Sequence, residues 1–477
     1  MVNIDNSSKS GSIDLNNGNP YYIFSITLIA TIGGLLFGYD TAVISGAVDS
    51  LKTFFHLNPE TFGDLASFYH GATVSSALIG CIIGSAISGI FASVFGRKKS
   101  LFVAAILFLV ASLGAAYPEF LFFRKGDGTL PVLIAFNIYR ILGGIGVGLA
   151  SAICPMYIAE IAPANIRGKL VSWNQFAIIF GMLVVYFVNF FIANGKSLEW
   201  VDTIGWRLMF ASNAVPAAMF GLLLFFVPET PRYLALTGKG DKALHILSKI
   251  NGLIKAKEIL EEIKETAHEK TEKVLAYGWK VLIIGILLSV FQQVVGINVV
   301  LYYAPTIFKG LGFGNDAALW QTVIMGFVNI IFTLVAIFTV DKFGRKPLLI
   351  IGSAGMAIGM FAIGLLAYLN IIGISTLIFI VIYTASFMMS WGPICWVMIS
   401  EIFPNTIRGK AVAIAVAAQW ITNFIISSTF PALLAFNVPF TYCLYGVMSV
   451  LSALFVWKMV PETKGKTLEA MSKLWKK

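Results

Sequence analysis

Long apolar runs, broken by short polar loops, dominate the chain. Twelve runs reach the roughly 20 residues that a membrane-spanning helix needs. They fall near 22–45, 66–92, 100–117, 131–157, 170–193, 206–227, 279–304, 318–340, 347–369, 375–400, 411–434 and 440–459. The largest interruption, 229–278, is rich in Lys and Glu. Leu244, Leu247, Ile250 and Ile254 recur through it at helical spacing, which predicts amphipathic helices on a membrane face. Residues 1–20 are rich in Ser, Asn, Asp and Gly and read as a disordered tail. No basic segment leads into a short apolar core with a small-residue cleavage site, so the first span is expected to stay in the mature protein.

Composition agrees with the pattern. Of the 477 residues, 58% are hydrophobic and 12% charged, against about 25% charged in a soluble domain. The net charge of +10 reports topology and implies no nucleic-acid partner. Most Lys and Arg sit in the tails and the even-numbered loops, as at Lys9, Arg97 to Lys99, Lys169, Lys342, Lys346, Lys410 and throughout 229–280. The odd-numbered loops hold only Lys52, Arg124, Lys125, Lys196, Arg207 and Lys309. That asymmetry predicts both termini in the cytoplasm. Cys81, Cys154, Cys395 and Cys443 stand singly in apolar stretches and read as packing residues, with no disulfide framework or metal site.

The chain repeats itself. Gly96-Arg97-Lys98 after span 2 returns as Gly344-Arg345-Lys346 after span 8. Glu160-Ile-Ala-Pro163 with Ile166-Arg167-Gly168-Lys169 after span 4 returns as Glu401-Ile-Phe-Pro404 with Ile407-Arg408-Gly409-Lys410 after span 10. Val227-Pro228-Glu229-Thr230 after span 6 returns as Val460-Pro461-Glu462-Thr463 after span 12. Three recurrences in the same order, each about half a chain later, indicate a six-plus-six duplication. The expected organisation is a tail (1–20), a first six-helix bundle (21–228), linker helices (229–278), a second bundle (279–460) and a tail (461–477). The duplicated loops bring Arg97, Glu160, Arg167, Glu229, Arg345, Glu401, Arg408 and Glu462 to one side of both halves. They read either as topology signals or as a latch of individually weak ion pairs holding the halves shut on that side.

Polar side chains inside the spans carry the chemistry. Gln292, Gln293 and Asn298 lie within Ser289–Pro305, with Gly296 between them. Buried amides cost several kcal/mol each unless paired. They therefore either face an interior cavity, on a helix that Gly296 and Pro305 partly break, or glue helices together. Asp40 and Arg140 are the charges standing well inside spans, and each is the other's natural partner. They read as a functional pair or as a static structural one.

Gly-Arg-Lys, Pro228-Glu229-Thr230-Pro231-Arg232, the two Ile-Arg-Gly-Lys loops, Gln292-Gln293 with Gly296-Ile297-Asn298, and Trp391-Gly392-Pro393 with Trp396 together resemble the sugar porter family of the major facilitator superfamily. The resemblance runs from about residue 21 to the C-terminus. It implies an all-α integral membrane fold of two six-helix bundles around a central sugar site, with alternating access and cytoplasmic helices between the halves. It also implies a proton-coupled sugar symporter of a bacterial inner membrane, working as a monomer among lipids without a cofactor, with D-xylose the expected sugar. The alternative is an uncoupled facilitator, or a symporter for another pentose, hexose or polyol. By motif, Gln175, Gln292, Gln293, Asn298, Asn329, Trp396, Gln419 and Trp420, with Phe37, Tyr302 and Gly392, correspond to sugar-site positions. Asp40 corresponds to the proton-carrying carboxylate and Arg140 to its mate. The chemistry suits a sugar, since amides donate and accept as hydroxyls do and aromatic faces lie along the ring.

Three positions depart from the family pattern. Ser93-Val94-Phe95 replaces the acidic or amide and basic residues usual before Gly96. Asn213, after Phe210-Ala211-Ser212, stands where related symporters have Glu. Met182 stands where xylose-carrying members have Gln. An enzyme is not indicated: His56, His70, His245 and His268 have no ligand spacing, and H-E-x-x-H, P-loop and G-x-S-x-G motifs are missing. A nutrient sensor on a transporter fold would usually add a long signalling tail, and little chain follows Thr463.

Overall fold

The computed structural model describes residues 18–120, 128–163, 166–266, 273–310, 312–371, 373–464 and 475. Lys9, Arg124, Lys125, His268 and most of both expected tails lie outside this set, as does the Lys169 side chain. Twelve helical spans are described: Pro20–Gly46, Pro59–Val94, Arg97–Ala116, Leu130–Ile161, Leu170–Ala193, Leu198–Phe226, Trp279–Tyr302, Asn315–Phe343, Arg345–Tyr368, Ile374–Ile402, Thr406–Phe436 and Val438–Met459. They are numbered 1 to 12. Each coincides with a run expected from hydropathy to within a few residues, and four extend past it by a turn or more. Some of the ends are polar-capped, which hydropathy does not register. Asn19 Oδ1, for example, accepts the backbone N–H groups of Tyr21 and Tyr22 at the start of span 1.

The amphipathic segment folds into three short helices, Pro231–Leu236, Gly240–Asn251 and Leu253–Thr266. Ala243, Ile246, Leu247 and Ile250 are buried, whereas Ile254 is exposed. These helices pack on one another and on spans 1 and 4. Asn19 N–H donates to the Lys249 carbonyl at 2.9 Å, tying the start of span 1 to the second of them. The side of the molecule carrying them is called the linker face below.

Span 7 is broken as expected. Trp279–Val294 is followed by Ile297–Tyr302 and then Ala304–Gly310. Gly296 takes φ +92°, and a Cβ there would press on the Tyr445 ring at 2.9 Å, so both the turn and the packing require glycine. A second break, not expected, divides span 10 into Ile374–Met388 and Trp391–Ile402. Pro393 has no N–H for the Met389 carbonyl.

The duplicated loops resolve into two equivalent clusters. In the first half, Glu229 accepts the backbone N–H groups of Arg97 and Lys98 at 2.9 and 3.1 Å, and the Arg97 guanidinium pairs with Glu160 at 2.6 Å. In the second, Glu462 accepts from the N–H groups of Arg345 and Lys346 at 3.1 and 2.9 Å, and Arg345 pairs with Glu401 at 2.9 Å. Each glutamate thus sits on the N-terminus of a span, where the dipole and unpaired N–H groups favour an anion. Gly96 and Gly344, at φ +86° and +90°, make room for it. In this structure the pairs of Arg97 with Glu160 and of Arg345 with Glu401 lie inside each half. Arg408 donates to its own loop, at the Phe403 carbonyl, and Arg167 is exposed. Arg345 also pairs with Asp341 at 2.9 Å. At the equivalent first-half position, Ser93 donates to Ile90 O instead.

Burial pushes the Glu462 carboxyl up, but the N–H groups of Lys464, Lys346, Arg345 and Thr463 more than offset it and hold it below the ordinary glutamate value. A depressed folded-state value contributes stability that is present above the unfolded value, near pH 4.3, and is lost as pH falls through the folded one. Glu462→Gln is therefore expected to lower stability by roughly 1–2 kcal/mol at pH 7, the modest end for bonds to a charged but partly exposed group. Thermal unfolding in detergent at pH 7 and at pH 4 checks this; the difference from the parent shrinks at the lower pH.

The halves meet through span 2 on span 11 and span 5 on span 8. Polar contacts between them cluster on the face opposite the linker. Asp49 accepts from Lys309 Nζ at 2.8 Å and Thr306 Oγ1 at 3.0 Å. Ser75 and Ser428 hydroxyls meet at 2.5 Å, and Gly195 N–H donates to Asp316 at 3.3 Å.

Candidate functional site

A cavity enclosing about 630 Å³ of empty space, open solvent at its mouth included, lies between the halves. Spans 1 and 5 contribute Phe37, Thr41, Gln175, Ile178, Ile179 and Met182. The second half contributes Gln292, Gln293, Ile297, Asn298, Leu301, Tyr302, Phe387, Met388, Gly392, Trp396, Gln419, Trp420 and Asn423. Ten of the eleven residues expected at a sugar site are therefore brought together. Asn329, on span 8, is buried but is not among the lining residues.

The amides are linked. Asn298 Nδ2 donates to Gln293 Oε1 at 2.6 Å, and Gln293 Nε2 to Gln292 Oε1 at 3.3 Å. Gln292 Nε2 then donates to the carbonyls of Trp391 and Gly392 at 3.0 and 3.2 Å. The break in span 7 places these side chains, and the break in span 10 supplies their carbonyl partners. Both sequence readings of this stretch thus apply: the amides join two helices and face a cavity. On span 11, Gln419 Oε1 and Trp420 Nε1 are buried without a partner, while both side chains line the cavity. Unsatisfied buried polar groups cost free energy, so these two are set to receive a donor and an acceptor from an occupant. The Trp420 ring lies 5.7 Å from that of Phe37 in the other half.

Asn423 and Thr41 escaped the sequence reading. Asn423 stands one helical turn from Gln419, and its Nδ2 donates to the Tyr302 hydroxyl at 3.4 Å. That i, i+4 spacing on an amide-bearing helix was the available signal. The apolar wall, including Ile178 and Ile179, gave no signal distinct from lipid-facing positions.

Beside the cavity, next to Thr41, the charged pair is formed. Arg140 Nη1 lies 3.3 Å from Asp40 Oδ2, and the Arg140 guanidinium also donates to the Asp40 carbonyl at 3.4 Å. The residues are 3% and 2% exposed, so water screens the pair little. The guanidinium also lies 5.3 Å from the Phe210 ring centroid. Asn213 Nδ2 donates to Asp40 Oδ1 at 3.0 Å.

Comparison with known proteins extends this picture. The family model described as "Sugar (and other) transporter" matches residues 26–475. The D-xylose-proton symporter of Escherichia coli K12 is 55% identical over 473 residues, covering 96% of each chain. The glucose facilitated diffusion protein of Zymomonas mobilis is 40% identical, covering 94% of this chain and 97% of that one. Among solved structures, the inward-open xylose transporter of E. coli superposes with a TM-score of 0.85 at 54% identity, covering 95% of this chain and all of the other. A proton:xylose symporter structure bound to 6-bromo-6-deoxy-D-glucose gives 0.82 at 55% identity, covering 96% of this chain and all of the other. A family match over nearly the whole chain, relatives of full length and a shared twelve-helix fold lead to one conclusion: the chain belongs to the sugar (and other) transporter family, the sugar porters of the major facilitator superfamily.

Proposed function

We propose that the protein is a proton-coupled symporter that imports D-xylose by alternating access. The observation that carries this reading is the amide-lined cavity, with unpartnered Gln419 Oε1 and Trp420 Nε1, lying beside a buried Asp40–Arg140 pair. A pyranose offers hydroxyls to the amides and C–H faces to Phe37 and Trp420. Relatives named as xylose–proton symporters support the sugar and the coupling ion. In this reading Gln175, Gln292, Gln293, Asn298, Tyr302, Gly392, Trp396, Gln419, Trp420 and Phe37 contact sugar, Asp40 carries the proton and Arg140 balances its charge.

The moving bodies are the bundles 21–228 and 279–460, with the linker 229–278 on the cytoplasmic face of a bacterial inner membrane. The excess of Lys and Arg on the linker face supports that orientation. The contacts of Asp49 with Lys309 and Thr306, and of Ser75 with Ser428, then close the outer face, and the state described is open inward. The glutamate clusters keep each bundle rigid as it rocks. The working unit is a monomer in lipid.

Uptake into proteoliposomes from a panel of pentoses and hexoses, with and without an imposed pH gradient, tests this. Xylose accumulation that follows the gradient is expected; exchange without accumulation under any gradient identifies a facilitator. Gln292→Ala and Gln293→Ala are each expected to weaken xylose binding by roughly 1–3 kcal/mol while still folding, measured by calorimetry on purified protein. Unchanged affinity in both variants places the sugar elsewhere.

A further inference from the structure

Asn213 belongs to the charged pair as its third member. Its amide is 1% exposed, and it reaches Asp40 from a break in span 6, between Trp206–Ser212 and Ala214–Leu223. Pro216 has no N–H to offer the Ser212 carbonyl, which weakens the helix there. Ser212 Oγ is bonded with the Tyr39 hydroxyl at 2.7 Å. Consecutive residues of span 6 thus grip consecutive residues of span 1, and the amide is held at a defined place. Its other end, Oδ1, is buried and has no partner.

A buried carboxyl that changes protonation state needs different neighbours in each state. As an anion, Asp40 accepts from Arg140 and from Asn213 Nδ2. As an acid it has an O–H to place, and arginine offers no acceptor. Among the described residues, the Cys81 thiol on span 2 and the Tyr302 hydroxyl on span 7 are near enough to feel its charge. The Tyr302 oxygen already accepts from Asn423. Asn213 Oδ1 is a free acceptor on the very group that now donates. A half-turn of the amide exchanges Nδ2 and Oδ1 and sets an acceptor at the 3.0 Å position.

We propose that Asn213 is a positioning residue for the coupling proton, its amide reversing as Asp40 gains and loses that proton. A proton arrives from water and one O–H bond forms on Asp40. The Asn213 hydrogen bond then changes direction, and the same proton later returns to water. Arg140 need not leave for the acid to be satisfied, and one titratable carboxylate suffices. The inference rests on the reading of Asp40 as the proton site.

Asn213→Leu keeps the approximate shape and removes both donor and acceptor; Asn213→Gln keeps the amide. The bond lost by the anion is charge-assisted and roughly twice as strong as the neutral one lost by the acid. The pH profile of gradient-driven uptake in Asn213→Leu is therefore expected to move to higher pH by about one unit, a tenfold change in proton affinity, with counterflow retained. Asn213→Gln is expected to keep the parental profile. Asn213→Ala gives the same shift where the leucine variant does not fold. An unmoved profile in the leucine or alanine variant overturns the proposal, as does an equal shift in the glutamine variant or a parallel fall of counterflow and accumulation without a shift. Asp40→Asn measured alongside separates the two readings: if it still concentrates sugar, the proton-site assignment itself fails, whatever Asn213 does.

Discussion

Asp40→Asn is expected to abolish uphill sugar accumulation while leaving binding and counterflow intact. One proton moving down 100 mV releases about 2.3 kcal/mol, enough to concentrate a neutral sugar nearly fiftyfold when fully coupled, and each pH unit adds about 1.4 kcal/mol. Using that energy requires a carboxylate that is protonated in one step and released in another. Asn mimics the protonated acid and keeps an acceptor for Arg140, which also still donates to the carbonyl of residue 40. The Asn213 amide still has a polar partner. The site therefore holds together, but it cannot release a proton and so cannot draw on the gradient. Radiolabelled xylose uptake in proteoliposomes, comparing counterflow with gradient-driven transport, gives the answer. Accumulation by Asp40→Asn close to that of the parent would remove Asp40 from the coupling mechanism.

Joining Ser75 and Ser428 by a disulfide is expected to arrest transport. Their hydroxyl oxygens are 2.5 Å apart across the outer face, and both residues are buried. That closeness suits the roughly 3.8 Å Cβ separation of a disulfide. In Ser75→Cys, Ser428→Cys under oxidising conditions, the outer face cannot open and the cycle stops with the cavity facing the linker side. Turnover should fall roughly tenfold or more, as when an obligatory opening step is blocked, and recover on reduction, with single-cysteine variants unaffected. In the inward-open reading, sugar should still bind to the oxidised protein from the linker side. Full transport by the quantitatively oxidised double variant would show that these residues do not part during the cycle.

Hydropathy resolved the twelve spans because lipid imposes one length and one composition on each. The break at Gly296 was legible because glycine, proline and three amides coincide there. The break at Met389–Ser390 was not: Pro155 also lies inside a helix, and span 4 runs on through it. Proline alone does not decide a break, and the partner that stabilises this one, Gln292, comes from a helix far away in sequence. Glu229 and Glu462 were read as members of the duplicated clusters, but their partners were not legible. Sequence puts a glutamate and an arginine in neighbouring loops, but not which atoms meet, and the backbone N–H groups at a helix start hold the carboxylate. Asn213 was visible as a departure; its bond to Asp40 depended on how two helices face each other. Asn329 satisfied the motif and is still not among the residues lining the cavity, since one position on a helix determines its direction only once the neighbours are known.

The linker helices rest on the first bundle, through Asn19 and Lys249 and against spans 1 and 4. They are cargo of that bundle, and the covalent tether to Trp279 is only the stretch that follows Thr266. For two bodies that stay together, doubling the length of a connecting loop costs only about 0.6 kcal/mol. The broad contact of span 2 with span 11 and of span 5 with span 8 keeps the bundles together in any case. A gene divided between Thr266 and Trp279 should therefore yield two polypeptides that find each other in the membrane, and a soluble domain spliced in at the same place should ride along with transport undisturbed.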